Sequence, residues 1–253
     1  MGRGRSTRAT PGEEVASDGI VLRLTPYRDA DLVVTLFTRA LGKVGALARS
    51  ARRSQRRFGG ALQPFVHVDL ELRLRPSAEL AELDSASPRR DFPHLGDDPH
   101  RLGRAGYLCE LVEALSRDRD PQPALLELLL DGLALLEHED TQPTALLRGF
   151  EVALLHHLGL WPDADQCARC GGGLDHGMHE SVDTDGWLCR SCGDRAVPPE
   201  EQDWLRPRPL QTSSCRPITV EVAREVGRRT LQRVRALTGR TLRSVAFLKQ
   251  LES

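Results

Sequence analysis

The sequence is poor in aromatics, in lysine and in long apolar runs. Phe, Trp and Tyr together make up 4% of the 253 residues, so leucine and valine must fill any core. Lys43 and Lys249 are the only lysines among 35 basic residues. The positive charge is therefore almost wholly guanidinium, which grips phosphate as a bidentate fork and stacks on bases. The most apolar stretch, 124–136, is interrupted by Glu127 and Asp131. It is too short and too charged to span a bilayer, which takes about 20 apolar residues. Residues 1–18 are polar and hold no apolar core, so no signal peptide is expected. Phosphate-loop, dinucleotide-binding, H-E-x-x-H, G-x-S-x-G and zinc-deaminase signatures are missing as well. A binding protein, not an enzyme, is expected.

What is present is ordinary in bulk and uneven in detail. With 40% hydrophobic and 28% charged residues, the chain reads as soluble and globular, not collagen-like, disordered or membrane-embedded. The cytoplasm is the expected compartment. The net charge of −1 hides a strong asymmetry: residues 1–60 carry a net +7, residues 61–166 a net −11, residues 167–203 a net −5 and residues 204–253 a net +8. Two explanations are open. The basic ends bind a polyanion, or they pair with the acidic middle inside the fold.

Periodicity divides the chain. Residues 1–17 read as a disordered arm. Apolar runs of strand length follow at Ile20–Leu24, Leu32–Phe37 and Val44–Ala48, separated by turn-like residues. From Phe65 to Leu74, apolar residues alternate with His67, Asp69, Glu71 and Arg73; period two means a strand with one buried face. Leu80–Leu83 adds a short fifth strand. Five short strands within residues 18–90 suggest a small barrel, and the oligonucleotide/oligosaccharide-binding (OB) barrel fits. Helical spacing then takes over in residues 91–160, with three apolar helices near 98–115, 124–136 and 144–160. Residues 161–200 form a glycine- and cysteine-rich module. In residues 201–253, a connector leads to a helix capped by Thr219 and ended by Gly239, then to a last short helix. The expected class is α+β multidomain: a five-stranded OB barrel, an all-α domain completed by the C-terminal helices, and an inserted four-cysteine zinc finger.

The strongest chemical signal is Cys167-x-x-Cys170, a gap of 18 residues, then Cys189-x-x-Cys192. Each pair turns two sulfurs toward one ion, and two pairs complete a tetrahedral thiolate shell. Six cysteines in a reducing compartment favour metal over disulfides, and zinc suits four soft thiolates. Four protein ligands leave no place for water, so the ion is structural. His176 and His179 lie between the pairs and belong to a solvated loop. Cys109 sits on an apolar helix face as a core residue. The module either staples a lobe too small for its own core or binds a partner.

The second signal is basic. Arg49, Arg52, Arg53, Arg56 and Arg57 fall within nine positions, with no apolar face that would make an amphipathic helix. They read as a barrel loop, either contacting nucleic acid or simply solvated. Phe58 could stack on bases, whereas Phe37 and Phe65 lie in apolar runs and read as core.

Taken together, these residues resemble a known family. The stretch Ile20–Asp31 with Leu36-Phe37-Thr38 and Gly42-Lys43, then Ala48–Ser54, Phe58 and Leu62–Phe65, is similar to the opening of the RecO family of bacterial recombination mediators. Phe150-Glu151, Leu154-Leu155, Leu158-Gly159, Pro162 and Cys167-x-x-Cys170-Gly171 resemble the family's approach to its zinc finger, and Gly239–Ser244 with Phe247-Leu248 its last helix. The resemblance implies binding of single- and double-stranded DNA and annealing of complementary strands. It implies work with RecR and single-stranded DNA-binding protein to load RecA. Arg39, Lys43, Arg49, Arg52, Arg53, Arg56 and Arg57 would then contact DNA. A zinc-stapled protein-interaction scaffold is the alternative.

Overall fold

Alternating apolar side chains make strands that must close on themselves to bury one face. The computed structural model describes residues 12–76, 78–138 and 140–251. Its first half holds β1 (Glu13–Pro26), β2 (Leu32–Thr38), β3 (Gly42–Ala48), α1 (Gln55–Phe58), β4 (His67–Leu74) and β5 (Ala81–Arg90). The strands pair in the order β1-β2-β3-β5-β4, and β4 returns to β1, so the barrel is closed. Among the described barrel strands, β3 and β5 run parallel, at Ala46↔Ala81 and Leu47↔Glu82, and the other pairs are antiparallel. The interior is Val21, Val34, Leu36, Val44, Val68, Leu70, Leu72 and Leu83, with Phe58 beneath α1.

Three differences from the sequence reading have physical causes. The arm expected over 1–17 falls partly on residues outside those described; Glu13–Ser17, however, belong to β1. They pair with Leu74–Leu70 of β4, because a barrel edge needs backbone partners whatever the side chains. β5 runs well past Leu83 for the same reason. Its polar half pairs with β4 and exchanges side-chain bonds across it, Ser85 Oγ to Glu71 at 2.9 Å and Arg89 to Asp69 at 3.1 Å. His67, expected on the wet face of β4, is buried.

The second half is helical: α2 (Pro99–Leu115), α3 (Pro123–Glu137) and α4 (Pro143–His157), each opened by proline, then α5 (Pro199–Leu205), α6 (Leu210–Ser214), α7 (Val220–Thr238) and α8 (Arg243–Leu251). Proline at the first helical position gives up an N–H that would be unpaired there anyway. That also explains α5, which Pro199 opens; α6 follows Pro209 at its N-cap, and both occupy the expected connector. Thr219 caps α7 by accepting from Val222 N at 3.3 Å, and Gly239 ends it with φ +68°. Glu110 of α2 accepts from the backbone N–H groups of Arg243 and Ser244, at 2.9 and 2.8 Å, and so caps α8. Between α4 and α5 stands a small sheet of β6 (His179–Ser181), β7 (Thr184–Leu188) and β8 (Arg195–Ala196), in the order β7-β6-β8.

The chain forms two compact units. One comprises the residues up to Asp91 with Arg117–Leu126; the other comprises Phe92–Ser116 and Glu127 onward. Within the first, the segment 117–126 straps β3. Arg119 N donates to Lys43 O at 2.9 Å, and Lys43 pairs with Asp118 at 3.2 Å. Within the second, Tyr107, Leu108, Phe150, Leu154 and Val226 are buried around Glu151. The Glu151 carboxylate accepts from Tyr107 Oη at 2.6 Å and from Thr230 Oγ1, and pairs with Arg148 at 2.6 Å. Burial pushes its pKa up, against the pull of Arg148. None of the described helices is long and apolar enough to cross a membrane.

Candidate metal centre and nucleic-acid interface

Cys167 and Cys170 lie just before the small sheet, and Cys189 and Cys192 directly after β7. The four Sγ atoms all lie within 4.8 Å of one another. Cys170 and Cys189 are 3.8 Å apart, about the edge of a tetrahedron drawn with zinc–sulfur bonds of about 2.3 Å. Each Cys-x-x-Cys closes on itself: Gly171 N donates to Cys167 O at 2.9 Å, and Cys192 N and Gly193 N both donate to Cys189 O at 3.0 Å. The two glycines serve different needs. Gly171 has φ +73°, which only glycine adopts freely. At Gly193 a Cβ would fall 2.5 Å from His179 Cβ.

The donor chemistry fits a soft cation. N–H groups of Cys189, Cys170 and Arg169 hold the Cys167 thiol down at about 6. The Cys189 and Cys170 sulfurs beside it push Cys192 up to about 12. Four thiols this close cannot all ionise unless a positive charge is shared among them, which a divalent metal supplies. Cys109, by contrast, is buried on α2 and its thiol is pushed up by burial. His176 is exposed, whereas His179 stands in β6, not in a loop.

The basic residues fall into two groups. Ala51–Arg53 form a 3-10 turn and Gln55–Phe58 form α1, so the arginine segment is wound, not extended. Phe58 anchors it by pointing into the barrel, which removes Phe58 as a stacking surface. Arg57 lies 4.8 Å above that ring and donates to Ser54 Oγ and Arg49 O. Arg49 pairs with Glu82 at 3.4 Å. Arg39 forks onto Asp18 at 2.8 and 2.9 Å, and His67 Nε2 bonds the same carboxylate at 2.9 Å. Lys43 is engaged by Asp118. Arg52, Arg53 and Arg56 are exposed and have no carboxylate partner among the described residues.

The turn Tyr27–Asp31 borders this segment. Asp31 Oδ1 accepts from Ser50 N at 2.7 Å, and Ala30 O from Arg52 N at 3.1 Å. Tyr27 there is 53% exposed, with the Arg28 guanidinium 5.2 Å from its ring. In the sequence it looked like a turn residue, and only its exposure beside the arginines makes it notable.

The C-terminal basic segment behaves differently. Arg206 pairs with Asp165, Arg208 and Arg216 with Asp203, Arg228 with Glu225, and Arg233 with Asp185. Arg229 reaches Glu180, Glu201 and Glu225. Pairing inside the fold therefore accounts for part of the charge at each end: these C-terminal arginines, and Lys43 and Arg49 on Asp118 and Glu82.

The chain also has clear relatives. The family model described as Recombination protein O N terminal matches residues 13–92, and that described as Recombination protein O C terminal matches residues 96–244. A DNA repair protein RecO from Myxococcus xanthus (strain DK1622) is 36% identical over 245 residues, covering 94% of this chain and 98% of the relative. One from Symbiobacterium thermophilum is 35% identical over 247 residues, covering 93% and 97%. One from Anaeromyxobacter sp. (strain K) is 44% identical over 181 residues, 71% of each chain. With both terminal models matched in order along the barrel and the helical unit, the chain belongs to the RecO family of DNA repair and recombination proteins.

Proposed function

We propose that this protein is a non-enzymatic recombination mediator that binds single- and double-stranded DNA and anneals complementary strands. In this reading it acts with RecR and single-stranded DNA-binding protein to help load RecA, in the cytoplasm on nucleoid DNA. The observation that carries the proposal is the exposed trio Arg52, Arg53 and Arg56, held at one side of an OB-type barrel with no carboxylate partner among the described residues. Guanidinium groups with no internal partner are available to phosphates, and their binding releases counterions. Arg49 and Arg57 border the trio while serving the fold, whereas Arg39 and Lys43 flank the β2–β3 turn at the other end of β3, paired with Asp18 and Asp118. Tyr27 offers an exposed ring on which an unpaired base stacks. Neutralising phosphates on two strands lowers their repulsion, so complementary bases meet without a nucleotide cofactor.

Cys167, Cys170, Cys189 and Cys192 would hold a structural zinc ion. It would shape the small lobe and take no part in chemistry.

The test is annealing of complementary fluorescent oligonucleotides by the full chain, without ATP, at low and moderate salt. Acceleration that fades as salt rises supports the mediator reading. No acceleration by a folded, metal-loaded protein would overturn it and favour the protein-interaction scaffold.

A further inference from the structure

The second unit contains a cavity of about 330 Å³ between the small cysteine-held sheet and α7. Its walls include Arg195, Arg228, Arg229 and Arg233, against only two lining carboxylates, Glu180 and Asp185. Glu180 lies deep, bound by Arg195 and Arg229. Asp185 stands at the rim, 73% exposed, on Arg233. Arg228 takes its own partner, Glu225, from outside the lining. Four guanidinium groups thus line the space with two carboxylates, while Glu201 and Glu225 hold Arg229 and Arg228 from outside the lining, and the Asp185 carboxylate is exposed at the rim.

Two buried donors sharpen the reading. Trp187 Nε1 and Arg229 Nε belong to lining residues and have no acceptor among the described residues. Both groups can only donate, so they lack an oxygen. Trp161 and Trp187 meet edge to face at 6.1 Å and form an apolar side wall.

We infer that this cavity between the cysteine-held sheet and α7 is an oxyanion site for a phosphoryl group. The occupant replaces Asp185 on Arg233, receives Arg228, and satisfies the two orphaned N–H groups. The cavity is in the range of small-ligand pockets and has room for the organic group attached to the phosphate. The source is either a free pyrophosphate-bearing compound or a phosphate of a nucleic-acid strand. The site belongs to the second unit and the arginine trio to the first, and the site holds whether or not that trio anneals DNA.

Trp161 and Trp187 make the test direct. Tryptophan emission of the metal-loaded full chain is titrated with pyrophosphate, then with oligonucleotides bearing a 5′-phosphate or a 5′-hydroxyl. A saturable change with pyrophosphate is expected, weakened roughly tenfold or more when Arg228→Gln and Arg233→Gln are combined, since two charge-assisted contacts are lost. Trp187→Phe, which deletes one orphaned donor and keeps an aromatic ring, is expected to weaken it as well. It gives an independent variant if the arginine pair fails to fold. A response shared by the 5′-phosphate oligonucleotide but not the 5′-hydroxyl one assigns the source to strand ends; a response to both assigns it to the strand backbone. A response to pyrophosphate alone assigns it to free compounds. No saturable change, or one unaltered in the variants, overturns the site. So does saturation by a glutamate-rich peptide where pyrophosphate has no effect.

Discussion

Asp18 ties three barrel elements through one carboxylate. It is nearly buried in β1 and bound by Arg39 beyond β2 and by His67 of β4. The Arg39 guanidinium, with help from His67, holds its pKa down at about 2. The unfolded carboxyl titrates at about 4. The ion pair therefore contributes about 2 kcal/mol that is fully present above about pH 4 and is lost as pH falls toward about 2. Asp18→Asn is expected to cost about that much at neutral pH and to flatten the acid limb of urea-unfolding stability in that window. Gly42 makes a second residue-level case. Its φ is +66°, and a Cβ there would fall 2.0 Å from Asp120 O. Gly239 has nearly the same φ, +68°, but nothing within 4 Å. Gly239→Ala should cost about 1 kcal/mol from backbone strain alone. Gly42→Ala should cost clearly more, above about 2 kcal/mol, because the strap at 117–126 must also move. Denaturant midpoints of the two variants would decide it. A turn glycine at 42 is legible in the sequence; the strap that presses on it is not, because it comes from residues nearly eighty positions away.

At the scale of the element, the arginine segment shows why charge alone was ambiguous. Five arginines in nine positions look equivalent in the sequence. Winding them into a 3-10 turn and α1, with Phe58 as anchor, separates Arg52, Arg53 and Arg56 from Arg49 and Arg57. Replacing the trio with alanine should weaken single-strand binding and lower its salt slope by about 2, near 0.7 per phosphate contact. An unchanged slope, measured by fluorescence anisotropy across salt, would remove the trio from the interface. α8 is similarly conditional. Its first N–H groups, at Arg243 and Ser244, depend on Glu110. Glu110→Ala should cost about 1 kcal/mol and fray that helix, visible as faster amide exchange at Arg243 and Ser244.

For the whole molecule, the cysteine module joins a four-cysteine cluster to a basic helix. Arg229 and Arg233 of α7 pair with Glu180 and Asp185 of the small sheet, so the lobe and α7 hold each other's charges. Stripping the metal with a chelator under reducing conditions should melt the lobe and open residues 161–200 to protease, because four crowded thiols lose their shared cation. The β-signal of the barrel should survive. Cys170→Ser should reproduce the effect. Much of this architecture is written locally. The period-two runs, the helical spacing, the Thr219 and Gly239 caps and the paired Cys-x-x-Cys all act over a few residues, so the sequence by itself determined the barrel, the longer helices and the four-cysteine cluster. Four things depended on distant partners. Glu13–Ser17 became strand because β4 needed an edge. His67 went inside because Asp18 met it. Arg206, Arg229 and Arg233 met carboxylates of the cysteine module, and Arg208, Arg216 and Arg228 met Asp203 and Glu225, while Arg52, Arg53 and Arg56 meet no carboxylate among the described residues. The pairing of charges and backbone edges is settled by closeness in space, and only tertiary structure decides which distant residues become neighbours.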